Sequence, residues 1–147
     1  MSDTFKILAT TDFSERAAAG VENAAGLAGQ LGAEVVLLYV VEDRLPPVMP
    51  FVSEPERRKI LESQRDEALE RLPDYAANHL PGCQVTTASV IGTAAPEIVR
   101  FAEQNQIDLV VMASNGYGPI RQLLLGSTTE RVLHHAPCPV LVVPSKK

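Results

Sequence analysis

Glycines and hydroxyl side chains carry the sharpest chemical signal in this chain. Between Asn115 and Val132 it reads NGYGPIRQLLLGSTTERV, with three glycines, one serine and two threonines. Gly116 and Gly118 allow positive φ and a close approach of backbone to a ligand. Gly126 then precedes Ser127, Thr128, Thr129 and Glu130 where a helix should begin. The amides of Thr128, Thr129 and Glu130 would point out of that N-terminus, where the dipole favours an anion, and the hydroxyls add donors. The same residues support a competing reading. Ser127 and Glu130 stand three apart, the spacing of a capping box, which would satisfy the helix with its own side chains. The Glu130 carboxylate would also repel a phosphate. Spacing alone leaves both readings open. The stretch is not a P-loop, because GxxxxGK[ST] is absent, and no GxGxxG follows the first apolar run.

Asp12 follows that first run directly. A carboxylate there can accept hydrogen bonds from a ligand's hydroxyl or amino groups, or it can serve the start of the next helix. Of the nearby cations, Arg121 lies in the loop and is the better placed for a phosphate. Arg131 falls one turn into the helix, on its expected exposed face. His134 and His135 end that helix, where a cation suits the dipole. Cys83 and Cys138 form no CxxC and read as free thiols used for packing. His79 stands four residues before Cys83, but two candidate ligands do not make a metal site, so no protein-built metal centre is expected. No GxSxG, HExxH or cysteine-nucleophile signature occurs, and no catalytic residue is expected.

These residues need a scaffold, and the bulk numbers bound it. The 147 residues are 46% hydrophobic and 21% charged, which suits one globular domain spanning residues 1–147. The formal charge of −5 argues against a nucleic-acid partner. The clusters Arg57–Lys59 and Lys146–Lys147 read as solvated surface charge. No apolar run approaches the roughly 20 residues of a membrane span, and the first residues do not resemble a signal peptide. A cytoplasmic protein without a membrane partner is therefore expected.

Five short apolar runs alternate with helical patterns. Phe5–Thr11, Ala33–Val41, Gln84–Gly92, Ile107–Ala113 and the run PVLVVP read as strands, the second continuous enough to be covered on both faces. Ser14 is the expected N-cap of the first helix and Gly32 its stop. Ser53 opens the second helix with the capping-box spacing SEPE, running to about Leu80 with a kink expected at Leu72–Pro73. Glu42–Val52, with three prolines, reads as a connecting loop. Ala95–Gln106 forms a short third helix, with Pro96 in its first turn, and a fourth runs from about Thr128 to His135. Alternation of this kind makes right-handed βαβ crossovers and a parallel sheet with helices on both faces. Ligands of such sheets lie beyond the carboxyl ends of strands, here after Thr11, Val41, Val90 or Ala113.

The chain also resembles the universal stress proteins of the adenine-nucleotide α-hydrolase-like superfamily. The stretches KILATTDFSERA, VVLLYVVED, IDLVVMASNGYG and LLLGSTTERVLHHAPCPVLVV carry the likeness across nearly the whole chain. The ATP-binding branch carries G-x2-G-x9-G-[ST]. Gly116 and Gly126–Ser127 match its later elements, and Ala113 stands where the first glycine would be. If that position required positive φ, alanine would cost about 1 kcal/mol or more. Asn115 and Tyr117 stand where the family often has histidine and arginine. The resemblance implies a Rossmann-like α/β fold with an open five-stranded parallel sheet ordered 3-2-1-4-5. It implies ATP, or AMP or ADP, with Mg2+. Thr11 and Asp12 would meet the adenine–ribose end, the Val40 backbone the adenine edge, and Met112 and Ala113 the base and ribose. Gly116, Gly126, Ser127, Thr128 and Thr129 would hold phosphates. It further implies a homodimer through Pro139–Val143, a role as a stress sensor or regulator, and at most slow ATP hydrolysis. The alternative is an interaction module of the same family with a vestigial cleft.

Overall fold

The apolar runs become strands and the amphipathic stretches between them become helices. The computed structural model describes residues 4–44, 51–114 and 125–144. The order is β1 (Lys6–Thr10), α1 (Glu15–Leu31), β2 (Glu34–Glu42), α2 (Glu54–His79), β3 (Val85–Gly92), α3 (Ala94–Gln104), β4 (Leu109–Ala113), α4 (Ser127–His135) and β5 (Val140–Val143). All neighbouring strands pair in parallel, in the order β3-β2-β1-β4-β5 that the family resemblance implied.

Side-chain alternation divides the core between the two faces of this sheet. Ile7, Ala9, Val35 and Leu37 pack with Val21 and Ala24 of α1 and Leu72 of α2. Leu8, Val36, Leu38, Val110 and Met112 pack with Ile98 and Ala102 of α3 and Val132 of α4. Both faces are thus covered, which is why the central strands read as continuous apolar runs rather than alternating ones.

The expected punctuation is in place at α1. The Ser14 hydroxyl accepts from the Ala17 amide at 3.2 Å, and Gly32 ends the helix in the left-handed region at φ 63°. At α2 the Ser53 hydroxyl accepts from the Glu56 amide at 3.3 Å. That helix is not interrupted at Pro73. Pro73 sits on its exposed face, where water can serve the carbonyl left without an N–H. Strand β2 runs one residue further than expected, to Glu42, and α4 starts one residue earlier, at Ser127. Among the described residues no helix is long and apolar enough to cross a membrane.

One glycine sets how closely two layers meet. A Cβ on Gly20 would lie 2.9 Å from the Ala113 amide nitrogen and 3.2 Å from the Met112 carbonyl carbon. Helix α1 therefore rests on the backbone at the carboxyl end of β4. This contact brings the starts of α1 and α4 to the same corner of the sheet.

Candidate functional site

In this strand order the chain turns one way from β1 to β2 and the other way to β4, so the crevice rule selects the gap beyond β1 and β4. A cleft of about 540 Å3 opens there, within the usual range for small-molecule sites. Thr11, Asp12, Val40, Met112, Ala113 and Thr128, all expected from the sequence, line it together. Gly126 and Ser127 stand just before Thr128 at the start of α4. Gly116, with Asn115, Tyr117, Gly118 and Arg121, lies outside the described residues.

The start of α1 is closed by its own side chains. The Thr11 hydroxyl accepts from the Phe13 amide and Asp12 Oδ1 from the Ser14 amide, each at 2.9 Å. Ser14 then caps the helix, while the Thr11 amide donates to the Leu38 carbonyl at 3.0 Å. Both proposed uses of Asp12 are thus compatible. One carboxylate oxygen orders the turn, and the exposed carboxylate still borders the cleft.

The start of α4 is different, and here the capping-box reading fails. Gly126 is the N-cap and has no side chain to cap with, and Ser127 is already helical. A box would need its acid at residue 129, three beyond the cap, where a threonine stands. Thr129 is only 4% exposed, and its hydroxyl donates to the Ala113 carbonyl at 3.3 Å, tying α4 to the end of β4. The Glu130 amide, expected among the outward donors, instead donates to the Gly126 carbonyl at 2.9 Å. The first-turn donors are therefore the amides of Ser127, Thr128 and Thr129, and the Glu130 side chain is exposed.

Two glycine arguments change with the geometry. Gly126 has φ −70° and ψ 160°, which any residue adopts, so glycine contributes room there rather than conformational freedom. Ala113 is an ordinary strand residue at the end of β4 and does not have positive φ. The feared strain at Ala113 is absent.

The walls combine apolar and polar surface. Leu38, Val40, Val41, Ala94, Ile98 and Met112 form an apolar slot. Thr11, Ser114 and Thr129 are the buried polar residues among those described, and all three lie at this end of the sheet. Ser14, Arg16, Glu42, Arg44 and Gln64 also line the cleft and were missed from sequence. Arg16 was findable, because it lies in the first turn of a helix whose N-cap had been identified. Arg44 follows the end of β2, one of the places the crevice rule selects. Gln64 had no signal, since only the packing of α2 brings it near. The segment read as a connector thus lines the cleft at its beginning, through Glu42 and Arg44; residues 45–50 lie outside the described residues. Asp43 holds this corner, its amide donating to the Gly92 carbonyl at 3.1 Å and its carboxylate paired with Arg57 of α2.

Neither cysteine is bonded; each is half-buried against a core face. Burial, and secondarily Asp108, pushes the Cys138 thiol above its ordinary value. His79 pairs with Glu22 at 2.9 Å. Among the described residues no three His, Cys, Asp or Glu side chains group to hold a metal. Asp12 and Glu42 are the carboxylates that line the cleft.

The family model described as the universal stress protein family matches residues 4–144. Universal stress protein MJ0531 of Methanocaldococcus jannaschii is 36% identical over 148 residues, covering 97% of this chain and 83% of the relative. MJ0577 of the same organism is 31% identical over 154 residues, covering 96% and 95%. The solved structure of MJ0577 superposes with a TM-score of 0.76 over 97% of this chain and 96% of that one. Two more distant neighbours share the fold and were solved with nucleotides. A universal stress protein in complex with cAMP has TM-score 0.65 and 20% identity, covering 99% of this chain and 100% of its own. One from Archaeoglobus fulgidus in complex with dAMP has TM-score 0.63 and 21% identity, covering 97% and 99%. With the family model spanning nearly the whole sequence and the sheet order agreeing, this chain belongs to the universal stress protein family.

Proposed function

We propose that the chain binds an adenine nucleotide, ATP in the first instance, and acts as a homodimeric cytoplasmic sensor or regulator in a stress response. The observation that carries this reading is the uncapped start of α4, whose amides stand at one end of the cleft while Asp12 borders it. The apolar slot between them suits a purine. On this reading Thr11 and Asp12 meet the ribose and the Val40 backbone meets the adenine edge. Met112 and Ala113 line the base, and Ser127 and Thr128 hold phosphate in the room left by Gly126. Gly116 would join them. The Thr129 amide contributes, while its hydroxyl serves the fold. Mg2+ would neutralise the phosphates. The cAMP and dAMP complexes of the two distant neighbours favour an adenine nucleotide over other ligands of similar size.

Dimerisation through Pro139–Val143 is supported by the position of β5 at the sheet edge and by Leu141, which is 37% exposed there. An edge strand with an exposed apolar residue is a natural pairing surface. The alternative, an interaction module with a vestigial cleft, drew support from a self-capped α4 and from Ala113. Ser127 is not the cap and Ala113 does not have positive φ, which favours the nucleotide-binding reading. Isothermal titration of nucleotide-stripped protein with Mg-ATP should give saturable heat that AMP competes away. No heat and no competition would overturn the proposal.

A further inference from the structure

Phe13 lies between two cleft-facing residues yet points away from the cleft. Its φ is 68°, one of only two positive values for non-glycine residues among those described. A bulky residue in the left-handed region is strained and persists only where its surroundings over-determine it. Those surroundings are visible. The ring stacks on Tyr39 with centroids 4.9 Å apart and meets the edge of Tyr75 at 5.4 Å. The Arg71 guanidinium lies 4.0 Å above the Phe13 ring centre. Tyr75 and Arg71 belong to α2, and the ring packs on the α1–α2 side of the sheet.

The strained residue has a geometric effect. It reverses the backbone, so Thr11 and Asp12 border the cleft while the next side chain is partly buried against the layer behind it. The Asp12 carboxylate is ordered by the Ser14 amide on the far side of the same turn. Any shift of the Phe13 ring must therefore move the groups that fix Asp12. From this we propose that Phe13 is a positioning residue for Asp12, clamped by Arg71 and Tyr75, and that these two residues of α2 thereby tune nucleotide affinity from outside the cleft. This rests on the nucleotide-binding reading above.

The test is a double-mutant cycle read by Mg-ATP titration and thermal unfolding on the full chain. Phe13→Ala should weaken binding about 10-fold when Asp12 is present and less than about 3-fold in the Asp12→Ala background. The loss of thermal stability should be equal in both backgrounds. Phe13→Gly should recover stability relative to Phe13→Ala, because the backbone strain is relieved, without recovering affinity. Phe13→Tyr should restore both. Arg71→Gln alters an exposed residue outside the cleft and should weaken binding about 2- to 5-fold through loss of the cation over the ring. That variant, crossed with Asp12→Ala, carries the test if Phe13→Ala does not fold. Equal affinity losses in both backgrounds, or none in either, would overturn the positioning role. Failure of the unsubstituted protein to bind Mg-ATP would instead remove the nucleotide reading, and this proposal with it.

Discussion

Two helices begin at the same cleft, and they begin differently. At α1 the amides of Phe13, Ser14 and Ala17 are taken by the side chains of Thr11, Asp12 and Ser14. At α4 the cap is a glycine, which has no side chain to bond the first turn. A dipole points its positive end at the cleft in both cases, but α1 spends its third amide on a serine cap, whereas the glycine cap of α4 has no side chain to take one. The closed start presents a carboxylate instead, with acceptors suited to hydroxyl groups. On the nucleotide-binding reading proposed above, one cleft would thus have an anion end and a hydroxyl end, made by giving two similar helix starts different caps.

The contrast is most easily broken at Gly126. Valine there fills the phosphate space and should abolish detectable Mg-ATP binding by titration, while circular dichroism stays native-like. Unchanged affinity would place the phosphates elsewhere. Gly126→Ser is the finer form of the experiment. A serine hydroxyl would close α4 as Ser14 closes α1, adding a few tenths of a kcal/mol to stability. Affinity should fall, since the cap competes with the ligand for the same amides. A stabilised variant that binds more tightly would contradict the division between open and closed starts.

The spacing of the two starts depends on Gly20. Gly20→Ala should cost about 1–3 kcal/mol in denaturant unfolding, because backbone atoms at 2.9 and 3.2 Å must move. Gly29→Ala on the same helix meets nothing within 4 Å and should instead stabilise by up to about 1 kcal/mol. Equal responses would mean that α1 does not rest on β4 through Gly20.

Smaller effects separate the caps themselves. Ser14→Ala should cost about 1 kcal/mol of stability, the usual value for a lost N-cap. Ser127→Ala should change stability by less than about 0.5 kcal/mol, because Ser127 is a first-turn residue and not a cap. Equal losses in chemical denaturation would mean that α4 is closed after all. The smallest effect is expected behind the closed start. Tyr75 Oη is buried and makes no well-formed hydrogen bond among the described residues. Burial raises its pKa above the ordinary 10.0, Asp12 and Glu22 add to the rise, and the nearby Thr11 hydroxyl opposes it. The folded state thus holds the proton more tightly. Its stabilisation is full below pH 10.0 and is lost as pH rises through the folded value. Tyr75→Phe should leave neutral-pH stability unchanged or slightly higher and flatten the decline above pH 10 in unfolding curves.

Much of this architecture was legible before any geometry. Strand-like runs, Ser14, Gly32 and Ser53 report local preferences, and local preferences survive when the whole fold agrees with them. Asp12 was legible from its place after the first strand and Thr128 from its place at a helix start, while Val40, Met112 and Ala113 came from the family resemblance, at strand ends where a parallel sheet places ligands. The status of α4 was not. Ser127 and Glu130 have capping-box spacing, yet a shift of the helix start by one residue turns the expected cap into a first-turn residue. That shift is decided by what Thr129 can reach, namely the Ala113 carbonyl, which is sixteen residues away in sequence. Phe13, Gly20 and Gln64 were illegible for the same reason, since their partners lie on other elements.

By itself, then, the order of amino acids determined the periodicity of each segment, the alternation that makes a parallel sheet, and the residue types available at its carboxyl edge. These are properties of neighbours along the chain. Tertiary structure alone decided which amides were left without a cap, which glycine marks a close approach, and which aromatic ring braces Asp12. Each depends on contacts between elements far apart in sequence, and packing across such distances has no period for a single strand or helix to display.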